Sequence, residues 1–241
     1  MIAEGTIPMS IRKEAETERQ KLKNMSTKDR AWYIWEYYKF HILALILAAA
    51  ALWTLGGMLY RQTFTTRLSI AIVNDQAGGA SSTAGLEAGL REALGFGKKD
   101  LIEINEGLTA RFGQEGMSQF EYASLAKISA LVASKSLDVF IGDQEAVDHY
   151  GTVNAFQDLE AYLPPEIYSL AEGSVYSTED EQGILKPVAL SLEGTSFADQ
   201  TGIVMNPPYL AVMSTSQHKE EVLQMIKYLL RRYPGCWHLF R

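Results

Sequence analysis

From Phe40 to Tyr60 the chain runs FHILALILAAAALWTLGGMLY, twenty-one residues without a charged side chain. At about 1.5 Å per residue such a run makes roughly 32 Å of helix, the length of a bilayer's hydrocarbon core. A lone segment in lipid must satisfy its own backbone, so the pattern predicts a transmembrane helix. Beyond it the periodicity changes. Leu68 to Val73 (LSIAIV) is a nearly continuous apolar run with β-branched residues, which predicts a strand buried on both faces. Leu86, Leu90 and Leu94 then recur every fourth residue, predicting a helix capped by Ser81 or Ser82 and stopped at Gly95. A second strand is expected from Leu101 to Ile104, ending at Asn105. A second helix carries Phe120, Leu125, Ile128, Leu131 and Val132 on its apolar face, and a third strand covers Leu137 to Asp143. Strands and helices alternating in this way predict right-handed crossovers and a largely parallel sheet.

The second half has a different rhythm. Asp143 is placed to cap a helix through His149 that stops at Gly151, and Phe156 to Leu163 reads as a helical face closed by Pro164 and Pro165. A short helix is expected at Ile167 to Ala171. Val175 to Ser177 and Ile184 to Leu192 read as strands pairing antiparallel across a polar turn, and Ile203 to Asn206 and Tyr209 to Ser214 as edge strands flanking Pro207 and Pro208. Glu220 to Arg231 closes the domain as an amphipathic helix before Gly235.

Charge orients the apolar span. Lys21, Lys23, Lys28, Arg30 and Lys39 precede it, whereas Arg61 and Arg67 follow it. The positive-inside bias therefore predicts residues 1–39 as a cytoplasmic tail and juxtamembrane segment, 40–60 as the membrane helix and 61–241 as an extracytoplasmic α/β domain. Trp32, Tyr33, Trp35, Tyr37, Tyr38 and Phe40 at one end, with Trp53 and Tyr60 at the other, suit the headgroup layers. A rival reading starts translation at Met25 and cleaves after Ala48-Ala49-Ala50 as a signal peptide. Apolar sequence continuing to Met58 favours a retained signal anchor.

Residues 61–241 carry fourteen Lys and Arg against twenty-three Asp and Glu, a balance that argues against nucleic acid as the partner. Cys236 is the single cysteine, so no internal disulfide forms. Nucleophile-elbow, zinc-helix, Cys-x-x-Cys and phosphate-loop motifs are missing, and no cofactor or metal is expected. Gly95-Phe96-Gly97 follows a helix, the wrong context for a dinucleotide loop. Asp138, Asp143, Glu145, Asp148 and His149 form the densest group of titratable residues, with capping and solvated surface as the plainer account of them. His41 and His218 read as boundary and capping residues.

Three stretches, LVASKSLDVFIGDQEAVDHYG, FQDLEAYLP and YLAVMSTSQHKEEVLQMIKYLL, resemble in that order parts of bacterial extracellular solute-binding proteins of the two-lobed periplasmic-binding class. KDRAWYIWEYYKFH resembles the membrane approach of uncharacterised single-pass proteins of Gram-positive anaerobes. The resemblance implies a single α/β lobe recognising a small solute or an envelope protein, without catalysis. The sixteen residues between Leu192 and Tyr209 are too few for a second lobe. The expected site is the pair of loops after the first and third strands, Asn74 and Asp75 with Asp143 and Gln144, because α/β sites lie at strand C-termini. An enzyme with an acidic site and an assembly or scaffold protein of the envelope are the competing readings.

Overall fold

The computed structural model of the protein describes residues 26–112 and 116–230, which fall into two compact units divided between Thr63 and Phe64. The tail expected at 1–24, and Gly235 and Cys236, lie outside the described residues. In the first unit, helix α1 (Thr27–Arg61) is continuous over 35 residues. No proline interrupts it, so the polar approach and the apolar run share one hydrogen-bond ladder. Its stretch Lys39–Arg61 is long and apolar enough to cross a membrane.

The second unit is mixed α/β, built on one six-stranded mixed sheet. Its strands are β1 (Thr65–Val73), β2 (Asp100–Leu108), β3 (Val139–Gly142), β4 (Val175–Glu179), β5 (Leu185–Ser191) and β6 (Tyr209–Val212), in the order β2-β1-β3-β6-β5-β4. β1 pairs in parallel with β2 and β3, and β3, β6, β5 and β4 follow as antiparallel neighbours. Helices α2 (Ala84–Ala93), α3 (Gln119–Ala133), α4 (Gln144–Thr152), α5 (Leu159–Tyr162), α6 (Pro165–Ala171), α7 (Phe197–Thr201) and α8 (Lys219–Leu230) complete it.

Side chains alternate across each strand, so β1 sends Leu68, Ile70 and Ile72 to one core and Ala71 and Val73 to the other. The first core receives Leu86 and Leu90 of α2, Phe197 of α7 and Val222, Met225, Ile226 and Leu229 of α8. The second receives Ile128 of α3 and Ala146 and Val147 of α4. Burial on both faces is the physical reason that LSIAIV shows no polar alternation.

Several boundaries differ from the sequence reading. Neither Ser81 nor Ser82 is the N-cap of α2; Thr83 holds that position without a side-chain hydrogen bond. Ser81 instead donates to Asp75 at 2.5 Å. β2 does not end at Asn105 but runs to Leu108 through a bulge, with Gly107 at φ 70° where the partners step from Ala71↔Asn105 to Val73↔Leu108. Phe120 does not belong to the buried face of α3, being 61% exposed. Only Leu159–Tyr162 of the Phe156 to Leu163 run is helical, and Phe156 makes a bridge with Met213.

β6 is not an edge strand. Its four residues are buried between β3 and β5, because Pro207 and Pro208 precede the paired stretch and leave its amide donors intact. Ile203 to Asn206 forms no strand, and α7, which lacks apolar periodicity, was not anticipated. The crossover half of the sheet is parallel as expected. The returning half makes the whole sheet mixed.

Candidate functional site

The strand order 2-1-3 has a consequence for the site. The chain leaves β1 to one side and reaches β3 on the other, so the ends of β1 and β3 flank a topological switch point. In open α/β sheets ligands occupy the crevice at such points, outside the carboxyl ends of the strands. Asn74 directly follows β1 and Asp143 directly follows β3. A depression of about 350 Å³ lies there, lined by Asn74, Asp75, Gln76, Thr109, Arg111, Asp143 and Glu145. Three of the four anticipated residues therefore share one place. Gln144 is not in the lining and stands instead beside the Tyr176 hydroxyl.

Asn74 acts as a clamp. Its amide nitrogen donates to the Ala110 carbonyl at 2.9 Å and to both Asp143 carboxylate oxygens at 3.1 Å, while its oxygen accepts from the Ala110 amide at 2.8 Å. One side chain thus ties the ends of all three parallel strands. Its φ of 65° is in the left-handed region, which Asn tolerates better than most residues. Asp143 also caps α4, accepting from the Ala146 amide at 3.0 Å.

Asp75 is equally engaged. It accepts from the Ala77 amide at 2.9 Å, the Val204 amide at 3.0 Å and the Ser81 hydroxyl at 2.5 Å. Burial pushes its carboxyl up, but the hydrogen bonds from Ser81, Val204 and Ala77 outweigh that and hold it below its ordinary value. The bond to Val204 brings in a segment 129 residues away in sequence.

Of the groups left to meet a ligand, sequence reasoning singled out Glu145 as a titratable neighbour of Asp143 and missed Gln76, Thr109 and Arg111. Among the described residues, the side chains of Gln76, Thr109 and Glu145 make no hydrogen bond. Arg111 pairs with Glu121 at 3.3 Å through Nε, and among the described residues its terminal amino groups have no carboxylate partner. Arg111 and Thr109 follow β2, and Glu145 sits in the first turn of α4. A rule admitting all strand ends, including β2, would have found two of them.

The titratable group Asp138 to His149 is dispersed, and no set of three metal-ligating side chains occurs among the described residues. Asp138 is 1% exposed; it accepts from the Ser69 amide at 2.9 Å and the Ser216 hydroxyl at 2.7 Å, and His218 Nδ1 lies 3.0 Å away. His218 opens α8, its carbonyl accepting from the Val222 amide at 3.0 Å, while its ring reaches back to β3's lead-in. Asp148 accepts from the Tyr176 hydroxyl at 2.8 Å, and burial together with that carboxylate pushes the tyrosine up to about 12. His149 stacks on Phe112 with ring centroids 3.6 Å apart, and burial lowers its pKa against the opposing pull of Glu145. Because Phe112 adjoins Arg111, that stack anchors the loop that carries the guanidinium.

Set beside known proteins, the chain matches no family model, no curated protein and no solved structure.

Proposed function

We propose that the protein is a membrane-anchored, non-catalytic binding or interaction domain, similar to one lobe of an extracellular solute-binding protein and displayed on the outer side of the cell membrane. The observation that supports this best is the polar depression at the β1/β3 switch point, whose wall is clamped by Asn74 and whose rim offers Gln76, Thr109, Glu145 and the outer end of Arg111 to a ligand. Its volume, about 350 Å³, is that of a site for a small solute. Rigid inner groups with unspent outer ones are what recognition of a polar molecule requires.

The test is a thermal-shift screen of the full chain in detergent against amino acids, sugars and small organic anions, repeated on Arg111→Gln and Glu145→Gln. A solute that stabilises the parent protein and loses its effect in either variant is the expected result. A flat screen would remove the solute reading. Orientation is tested separately: an impermeant maleimide on intact cells should label Cys236 and should spare a cysteine placed at Ser26 in a Cys236→Ser background. The opposite pattern would reverse the sidedness.

A scaffold role in envelope assembly is the second reading. It is favoured by α3, which leaves Phe120 61% and Tyr122 63% exposed on a helix poor in charge. Each ring stands on its own side of the helix, and aromatic side chains are the kind that protein interfaces bury most. Loss of a co-purifying partner in Phe120→Ser/Tyr122→Ser, with the solute screen flat, is the result expected from it.

A further inference from the structure

Helix α1 is longer than the span it contains. Its 35 residues reach about 52 Å, of which the 23 residues Lys39–Arg61 supply about 34 Å. The hydrocarbon core is about 30 Å thick, so an apolar stretch of this length is accommodated by tilting. Tilt lowers one face of the remaining Thr27–Tyr38 extension towards the headgroups. Which face is lowered is set by its anchoring side chains.

At about 100° per residue, Lys28, Trp32, Trp35 and Lys39 fall within roughly 60° of one another on the helix. All four side chains are exposed, Trp32 by 69% and Trp35 by 63%. Glu36, the carboxylate described in this stretch, falls outside that arc. The face therefore presents two indoles with one ammonium group at each end. Indole rings favour the headgroup layer, and lysines favour anionic phosphates there.

We propose that the Lys28–Trp32–Trp35–Lys39 face docks on anionic phospholipid headgroups and so sets the direction in which α1 tilts. The proposal rests on α1 spanning the bilayer, and it fits the cytoplasmic side proposed for this end of the helix, where anionic lipids concentrate. Each lysine near such a surface shifts the docked-to-undocked ratio by about fivefold. Charge complementarity selects this partner over a second copy of the helix, since two like-charged faces would repel.

The experiment uses the full chain carrying Trp53→Phe and Trp237→Phe, so that Trp32 and Trp35 alone report. It is reconstituted in phosphatidylcholine vesicles and in vesicles with roughly one-third phosphatidylglycerol. Carbonate-resistant flotation reports insertion, and acrylamide quenching reports burial of the two indoles. The expected result is flotation with both compositions and a several-fold lower quenching constant with phosphatidylglycerol. Lys28→Gln/Lys39→Gln, or high salt, should abolish that difference. Failure to float with either composition would overturn the spanning reading and this proposal with it. Flotation with equal quenching in both compositions would overturn the proposal alone. Protection that rises with the protein-to-lipid ratio and ignores lipid charge would assign the face to a second copy and equally overturn it.

Discussion

Asn74 ties the ends of β1, β2 and β3 together at the switch point. Asn74→Ala strands the Ala110 amide and part of the Asp143 carboxylate, and unpaired buried polar groups cost about 1–3 kcal/mol. Asn74→Gly accepts the positive φ freely but makes none of the bonds, so a comparable loss in urea midpoint for both variants would assign the cost to the side chain. His149 is the residue to follow by pH. Its folded pKa is depressed by burial, so above its ordinary value of 6.5 both folded and unfolded states hold it neutral. As pH falls through 6.5 the unfolded state takes up the proton first, and the stability contributed by the neutral ring is lost towards the folded pKa. Phe112→Ala opens the stack, and an NMR titration should find the His149 pKa closer to 6.5 in that variant. An unchanged titration would separate the shift from the stacking.

At the scale of elements, α2 packs through its glycines. A Cβ at Gly85 would come within 2.7 Å of the Gln200 carbonyl oxygen, and one at Gly89 would meet the Tyr228 hydroxyl. The two positions are one turn apart and let α7 and α8 approach closely. Alanine gains about 1 kcal/mol of helix propensity, whereas forced overpacking costs about 1–3 kcal/mol. At Gly85 the obstacle is backbone, which cannot swing aside, so Gly85→Ala should lower the thermal midpoint. At Gly89 the obstacle is a side-chain terminus that can rotate away from its partner Gln200, 3.1 Å off. Gly89→Ala should therefore cost less, and adding Tyr228→Phe should recover part of it. A larger loss at Gly89 than at Gly85 would contradict this account of the interface.

For the molecule as a whole, the core residues among those described run from Leu68 onward, one cluster on each face of the sheet. A fragment beginning at Phe64 should then unfold in urea as one cooperative transition, with circular dichroism and tyrosine fluorescence coinciding. Non-coincident transitions would mean that the second unit depends on the first.

What the sequence determined by itself was everything carried by a local repeat. The uncharged run at Phe40–Tyr60, the apolar strand at Leu68–Val73, the leucine spacing of α2 and the strand at Val139–Gly142 are patterns over a few residues, and solvent alone decides them. That Asn74, Asp75 and Asp143 stand together was legible because strand ends are local features and the crossover rhythm implied where they converge. Their roles were not. Asn74 meets Asp143 across 69 residues and Asp138 meets His218 across 80, contacts that exist only once strand order and register are set. Arg111 and Glu145 join the same depression for that reason, Gln144 turns away because helical geometry points successive side chains about 100° apart, and β6 is central because pairing, not composition, decides which strand lies at an edge.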